Sequence, residues 1–176
     1  MERVSPVSPS GSVTERQATL DDVERMKQLG VQGWETTYSN FVHDHNRRTY
    51  LNGDFWSLER LREVVADPDA INLVAEQNGT IAGFINTEKL EDGRYEITRL
   101  YVDSAARGSG VGSRLIELTF EELKRRGVNE VLVNAFGDNH AGRRFYERHG
   151  FELIEDTWTT VGDQTLSDVW YALRLS

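Results

Sequence analysis

The sequence predicts an α/β (α+β) fold, a single domain built on a mixed, mostly antiparallel sheet with helices packed against it. Three observations predict it. Asn78-Gly79 and Gly162-Asp163 are two-residue hairpin signals, each set between strand-like runs. Between these hairpins lies one strand–helix–strand unit, YEITRLYV, then Gly110 to Arg126, then EVLVNAF, and a crossover helix of that kind joins parallel strands. The chain has 176 residues and no internal repeat, which suits one hydrophobic core.

Each element follows from its own pattern. Residues 1–12, MERVSPVSPSGS, are rich in Ser, Pro and Gly and read as a disordered lead-in; the domain spans 13–176. VTERQAT is a short strand, and Thr19 and Asp21 have the chemistry of a helix N-cap. Leu20, Val23, Met26, Leu29 and Trp34 then recur at helical spacing. The aromatic-rich stretch WETTYSNFVHDHNRRTY has no clean period and reads as short helices and loops. SLERLREVVA is a helix that starts after Ser57 and stops at Asp67-Pro68. INLVAEQ and TIAGFINTEKL form the first hairpin, and YEITRLYV follows Asp92-Gly93. The segment from Gly110 carries Val111, Leu115, Leu118 and Leu123 on one stripe and ends at Gly127. After EVLVNAF, NHAGRRFYERH is a short helix ending at Gly150, and FELIEDTWTTV with SDVWYALRL forms the last hairpin.

Composition narrows the function. A formal charge of -9 argues against a nucleic-acid binder and suits a cationic or amine partner. The absence of cysteine excludes disulfides, thiolate metal sites and a cysteine nucleophile, and fits a cytoplasmic location. No apolar run has membrane-spanning length, so no membrane partner is expected. His43 and His45 lie two apart and His140 and His149 flank the short helix, without the H-E-x-x-H arrangement; they read as solvated loop residues and no metal is expected. No G-x-S-x-G elbow for a serine hydrolase is present.

The loop Arg107–Gly112 carries the strongest chemical signal. Gly108, Gly110 and Gly112 remove side chains where main-chain amides must approach a ligand, and the following helix adds free N–H groups and a positive dipole end. Together with Arg107 they suit a phosphate. The G-x-G-x-G spacing is not the G-x-G-x-x-G of a dinucleotide fold, and no G-K-[ST] of a Walker loop follows. A glycine-rich turn without a ligand is the plain alternative.

Two spaced motifs give the loop its context. R-G-S-G-V-G from Arg107 resembles the [QR]-x-x-G-x-[GA] acetyl-CoA motif of the GCN5-related N-acetyltransferase (GNAT) superfamily. N-H-A-G-R-R-F-Y-E-R-H-G-F from Asn139 resembles that family's N-x-x-[AG]-x-x-[FY]-Y-x-x-x-G-F segment. The resemblance covers roughly 71–151 and implies a GNAT fold with helices on both faces of the sheet. It implies acetyl-CoA as co-substrate, no metal, a primary amine as acceptor, and a monomer or homodimer.

By the same resemblance, main-chain groups of Leu100 and Val102 hold the pantetheine arm, which enters between two splayed strands. Arg107 and the amides of Gly108, Ser109, Gly110, Val111, Gly112 and Ser113 hold the pyrophosphate. Asn139 bonds the pantetheine arm, although Asn also suits a helix N-cap there. Tyr146, with a phenol of ordinary pKa near 10, is the acid for the departing thiolate, the alternative being an aromatic packing residue. Glu96, a charge in mid-sheet, is either the base that drains the amine's proton or the partner of Arg99 or Arg94 in an ion pair. Gly142 departs from the family's more usual alanine and is expected to loosen the short helix by about 1 kcal/mol. Trp34, Tyr38, Phe41 and Trp158 or Trp170 are candidates for the acceptor pocket through cation–π contacts, or else core residues. A non-catalytic acyl-CoA sensor on the same scaffold and a transferase for another acyl group are the competing functions, with a nucleotide-binding module behind them.

Overall fold

The computed structural model describes residues 12–176. The expected lead-in therefore lies, through residue 11, outside the described residues. Along the chain run β1 (Thr14–Gln17), α1 (Val23–Thr37), α2 (Asp44–Leu51), α3 (Leu58–Ala66), β2 (Ile71–Gln77), β3 (Thr80–Lys89) and β4 (Tyr95–Val102). Then come α4 (Val111–Arg125), β5 (Glu130–Phe136), α5 (His140–Arg148), β6 (Glu152–Val161) and β7 (Gln164–Arg174).

The strands form one seven-stranded sheet in the order β1-β2-β3-β4-β5-β7-β6, antiparallel except for the parallel β4–β5 pair. The α5 crossover carries the chain to the far edge, so that β7 returns between β5 and β6. The sheet separates two cores. One packs α4 against Ile71, Ile85, Ile97, Val133 and Tyr171. The other packs α1, α2 and α3 against Val74, Ile81 and Phe84. Helices thus cover both faces, as the resemblance implied.

Local chemistry accounts for most boundaries. Asn78 and Gly79 have φ of 55° and 75°, the positive values a tight hairpin turn needs, and Asn and Gly are the residues that tolerate them. Ser57 caps α3 by accepting the amide of Arg60 at 3.0 Å. One cap differs from expectation. Asp21 is exposed, and the buried Asp22 accepts the Thr19 amide at 2.7 Å and pairs with Arg16 at 2.7 Å. Asp22 is chosen because its carboxylate reaches both the turn and β1.

The histidines also differ from expectation, since His45 lies within α2 rather than in a loop. Its Nε2 is 3.1 Å from the Asp163 carboxylate in the β6–β7 turn. Asn46 donates to the same carboxylate at 2.7 Å, which ties α2 to that hairpin.

Two irregularities in β4 position the site. Its parallel pairing with β5 covers only Tyr95↔Val131, Glu96↔Leu132 and Ile97↔Val133. Beyond Ile97 the two strands part. On the other side, Arg99 pairs with Asn86 and Ile97 with Thr87, so Thr98 is an extra residue on β4, a β-bulge. The bulge inverts the alternation of side chains. Before it, Tyr95 and Ile97 face α4; after it, Leu100 and Val102 do.

Close packing of α1 on the turn between α2 and α3 depends on Gly30. A Cβ there would lie 2.2 Å from the Trp56 ring, which is fully buried. Gly30→Ala is expected to destabilise the protein by about 1–3 kcal/mol through overpacking, despite the better helix propensity of alanine. A denaturant midpoint equal to that of the parent would contradict this packing account.

Candidate active site

The loop after β4 is pinned at its start. Arg25 donates to the Asp103 carboxylate at 2.7 Å, and Asp103 in turn accepts the amide of Ala105 at 3.0 Å. The chain then turns through Gly108 (φ 78°) and Gly110 (φ 86°) into α4. A Cβ on either glycine would meet nothing within 4 Å, so it is the left-handed backbone that selects glycine there. Gly112 is helical and has ordinary room around it, with Phe145 3.5 Å from a notional Cβ.

Most amides in this loop are free. The first helical bond runs from the Arg114 amide to the Gly110 carbonyl at 2.9 Å. Among the described residues no acceptor takes the amides of Gly108, Gly110, Val111, Gly112 or Ser113. They converge with the positive end of the α4 dipole. Ser109 differs: its amide already reaches the Ala106 carbonyl at 3.3 Å, and its hydroxyl bonds the same oxygen. Arg107 is exposed and reaches back to the hydroxyls of Thr36 and Thr37 at 3.3 and 3.4 Å.

The parting of β4 and β5 opens a slot beside this cradle. The Asp103 amide donates to Ala82 on β3 at 2.8 Å. Main-chain groups alternate along a strand, so those of Tyr101 also point to β3. Those of Leu100 and Val102 point the other way, into the gap left by β5. Asn139 stands at the start of α5, on the opposite strand's side, and its Oδ1 accepts the Gly142 amide at 3.0 Å. A Cβ at residue 142 would lie 2.4 Å from Asn139 Nδ2. Glycine there protects the cap, which replaces the expectation that it merely loosens the helix.

On the α5 side lies Tyr146, half-buried among Phe145, Phe151 and Tyr171. Burial, with a smaller contribution from Tyr38 on the opposite face, pushes its phenol well above the ordinary range. An ordinary pKa near 10 is thus corrected upward, because the ionised form would lose its water. Burial likewise raises Tyr38, and Tyr101 still more. These hydroxyls are neutral donors at any physiological pH.

On the α1 side a cavity of about 260 Å³ lies against Glu96, Thr98 and Tyr101. Its walls are Trp34, Tyr38, Tyr50, Phe55, Phe136 and Trp170. Trp34 stacks on Tyr50 at 4.4 Å and donates to the Tyr101 hydroxyl at 3.2 Å. Glu96 is the single acidic residue lining this cavity. Burial, then the charge of Glu88, raises its pKa above the usual carboxylate value. Neither ion pair foreseen for it forms: Arg94 pairs with Asp92 and Glu130, and Arg99 with Glu88. The bulge and the strand geometry direct those arginines to other carboxylates.

The structure brings together Trp34, Tyr38 and Trp170 around Glu96, and places Leu100, Val102 and Gly108 to Ser113 along the slot and its mouth. Phe41 packs on Tyr38 and Phe136 and lines an adjoining cleft with Arg107 and Asn139. Trp158 does not join the site; it is 71% exposed on the edge strand β6. Tyr50, Phe55, Tyr101 and Phe136 escaped sequence reasoning because single aromatic residues look like core, and Asn134 because one amide within a buried strand carries no signal. Larger clefts of about 690 and 790 Å³ lie beside β1–β2 and beside Arg94 and Asn129. Neither contains a residue of the loop, the slot or the aromatic cavity.

Comparison with known proteins bears on the family and the fold. The acetyltransferase (GNAT) family model matches residues 32–151. Spermidine N(1)-acetyltransferase of Thermoplasma acidophilum is 24% identical over 149 residues, 83% of this chain and 91% of that protein. The fold is shared with the PaiA N-acetyltransferase of Thermoplasma acidophilum, solved in complex with coenzyme A. The TM-score is 0.76 at 21% identity, over 89% of this chain and 98% of that one. It is shared also with the ribosomal-protein-S18-alanine N-acetyltransferase of Escherichia coli, with a TM-score of 0.70 at 21% identity, over 94% and 95% of the two chains.

Proposed function

The chain belongs to the GNAT family of acetyltransferases, and from that premise we propose that it moves an acetyl group from acetyl-CoA to a small cationic primary amine. The observation that carries this reading is the parting of β4 from β5 after Ile97, on the strand that runs from the cavity lined by Glu96 toward the free amides at the α4 N-terminus. These residues fit coenzyme A: the bare amides suit a pyrophosphate, and the open main-chain edge of Leu100 and Val102 suits the amide groups of a pantetheine arm. Gly108, Gly110, Val111, Gly112 and Ser113 would hold the phosphates through their amides, with Arg107 adding charge, and Ser109 shapes the turn. Asn139 keeps Nδ2 for the arm while Oδ1 caps α5.

When bound, acetyl-CoA supplies an activated acyl group, whose C–S bond breaks as the amide N–C bond forms. The chain supplies the proton handling. The aromatic walls desolvate and seat an ammonium by cation–π contact. Glu96 accepts the proton that the ammonium must lose before its nitrogen has a free lone pair. The Tyr146 hydroxyl holds a proton for the departing sulfur, and its raised pKa keeps that proton in place until a thiolate forms.

The acceptor chemistry follows from the lining. The cavity wall carries a carboxylate and no cation, so an amine with a neighbouring carboxylate would meet repulsion from Glu96. Amines on an aliphatic or cationic body are favoured over free amino acids, in keeping with a spermidine acetyltransferase among the relatives. The protein acts as a single domain over 13–176, in the cytoplasm; among the described residues no helix is long and apolar enough to cross a membrane.

The test is thiol release from acetyl-CoA across a panel of diamines, polyamines, amino acids and peptide N-termini, run with the parent and Tyr146→Phe. Diamines or polyamines are expected to be the best acceptors, and Tyr146→Phe to lower kcat roughly 10- to 100-fold with coenzyme A affinity unchanged. Transfer to no amine, despite coenzyme A binding, would favour a sensor instead. Unchanged turnover in Tyr146→Phe would remove its role as acid.

A further inference from the structure

Glu96 shares its face of the sheet with a second carboxylate. In the β3–β4 register Glu88 stands directly opposite Glu96, and directly opposed residues project from the same face. The bulge at Thr98 turns Arg99 onto that face as well, so Arg99 and Glu96 flank Glu88 although they lie on one strand. Arg99 Nη1 is 3.7 Å from Glu88 Oε2. From the helix layer above, Arg60 of α3 donates to Glu88 Oε1 at 2.8 Å.

Packing alone does not explain this arrangement. The Arg99 side chain is 0% exposed, and its Nε and Nη1 find no hydrogen-bond acceptor. Burying a cation that is only partly satisfied costs stability. Its guanidinium stacks over Phe55 at 3.8 Å and donates to the Phe55 carbonyl, which places it directly behind a wall of the acceptor cavity. Burial brings its pKa down to about 10, with Glu88 acting to hold it up, so it stays charged at neutral pH.

We propose that Glu88, clamped by Arg60 and Arg99, is a positioning residue for Glu96, its negative charge keeping the Glu96 carboxylate basic enough to take a proton from the acceptor ammonium. This rests on the reading of Glu96 as the base. The other groups around Glu96 do not supply that charge. Tyr38 just after α1, Tyr50 from α2 and Tyr101 from β4 are phenols with raised pKa values and are neutral below pH 10. The cavity residues contributed by β5 and β7, Asn134, Phe136 and Trp170, carry no charge. Further along the same face lie Glu130 of β5 and the buried Asp168 of β7, whose pKa burial raises and whose carboxylate Asn134 bonds, but the charge that acts on Glu96 is that of Glu88, with its two arginines beside it. Glu88 disfavours ionised Glu96, and the arginines limit how far.

The sign of each charge gives the test. The acid limb of kcat/KM against pH reports ionisation of the base in the free enzyme. Glu88→Gln is expected to move that limb to lower pH by about half to one unit, with a lower plateau as the base weakens. Glu88→Asp keeps the charge and is expected to leave the limb near its original position. Arg60→Gln, at a half-exposed position, is expected to move the limb to higher pH. Arg99→Gln should do the same where it folds. Movement of the Glu88→Gln and Arg60→Gln limbs in one direction, or of neither, would overturn the proposal, since general loosening has no sign. Failure of the base reading is seen separately, as an acid limb that persists in Glu96→Gln.

Discussion

Glu96→Gln is expected to lower kcat/KM for the acceptor by roughly 10²- to 10³-fold near neutral pH, while coenzyme A binds as before. Glutamine keeps the size and the hydrogen-bonding capacity of the side chain and removes only its ability to take a proton. In the parent enzyme the rate is expected to fall as pH drops, because the proposed active form of Glu96 is the carboxylate. Its pKa is raised by burial and by Glu88, so the fall begins at a higher pH than for an exposed glutamate. In the variant that limb is expected to vanish. Initial rates from pH 5 to 9 read both effects. A variant that retains the parent rate and the parent limb would leave Glu96 a wall residue and no more.

Gly110→Val is expected to weaken coenzyme A binding by roughly 100-fold or more, measured by calorimetry. Two causes add. Gly110 holds φ at 86°, where a β-branched side chain is strained by about 1–2 kcal/mol or more. Its side chain would also enter the open space before the α4 N-terminus, across the amides that the ligand needs. Gly110→Ala separates the two, since it carries most of the backbone strain and little of the bulk. The melting temperature of Gly110→Val is expected to fall only a few degrees. Undiminished affinity would show that the phosphates bind elsewhere.

The donor side of this site was legible because its chemistry is local. Gly108 and Gly110 are read one residue at a time, from backbone conformations that other residues adopt at a cost. Asn139 and Tyr146 sit at fixed spacing on one short helix. The helices and hairpins were legible for the same reason, through Asn78-Gly79, Ser57 and the stripe of Val111, Leu115 and Leu123. Where a boundary was misplaced, a distant partner had decided it: Asp22 rather than Asp21 serves the cap because Arg16 on β1 reaches it. His45 belongs to a helix whose anchor is Asp163, more than a hundred residues later.

The acceptor side was far less legible. Glu96 was picked out as a mid-strand charge, but its ion-pair alternatives could be excluded only in three dimensions. The bulge at Thr98 has no signature in YEITRLYV, and it decides that Glu96 and Arg99 share a face. Trp34, Tyr38 and Trp170 could equally have been core, and Trp158, with the same side chain, stands in solvent. Tyr50 ends a stretch without a period and Phe55 lies in the turn before α3; they acquire a role only by stacking with Trp34 and Arg99.

The sequence by itself determined the fold class, the order of elements, the glycine loop proposed as a phosphate cradle and, through its two spaced motifs, the family. Each of these depends on backbone preferences within a few residues, which a linear chain already carries. Only the tertiary structure decided where β4 parts from β5, which aromatic rings meet at Glu96, and which charges surround it. Those are contacts between elements far apart in the chain. Register, bulge and burial set them, and none of the three exists before the sheet has formed.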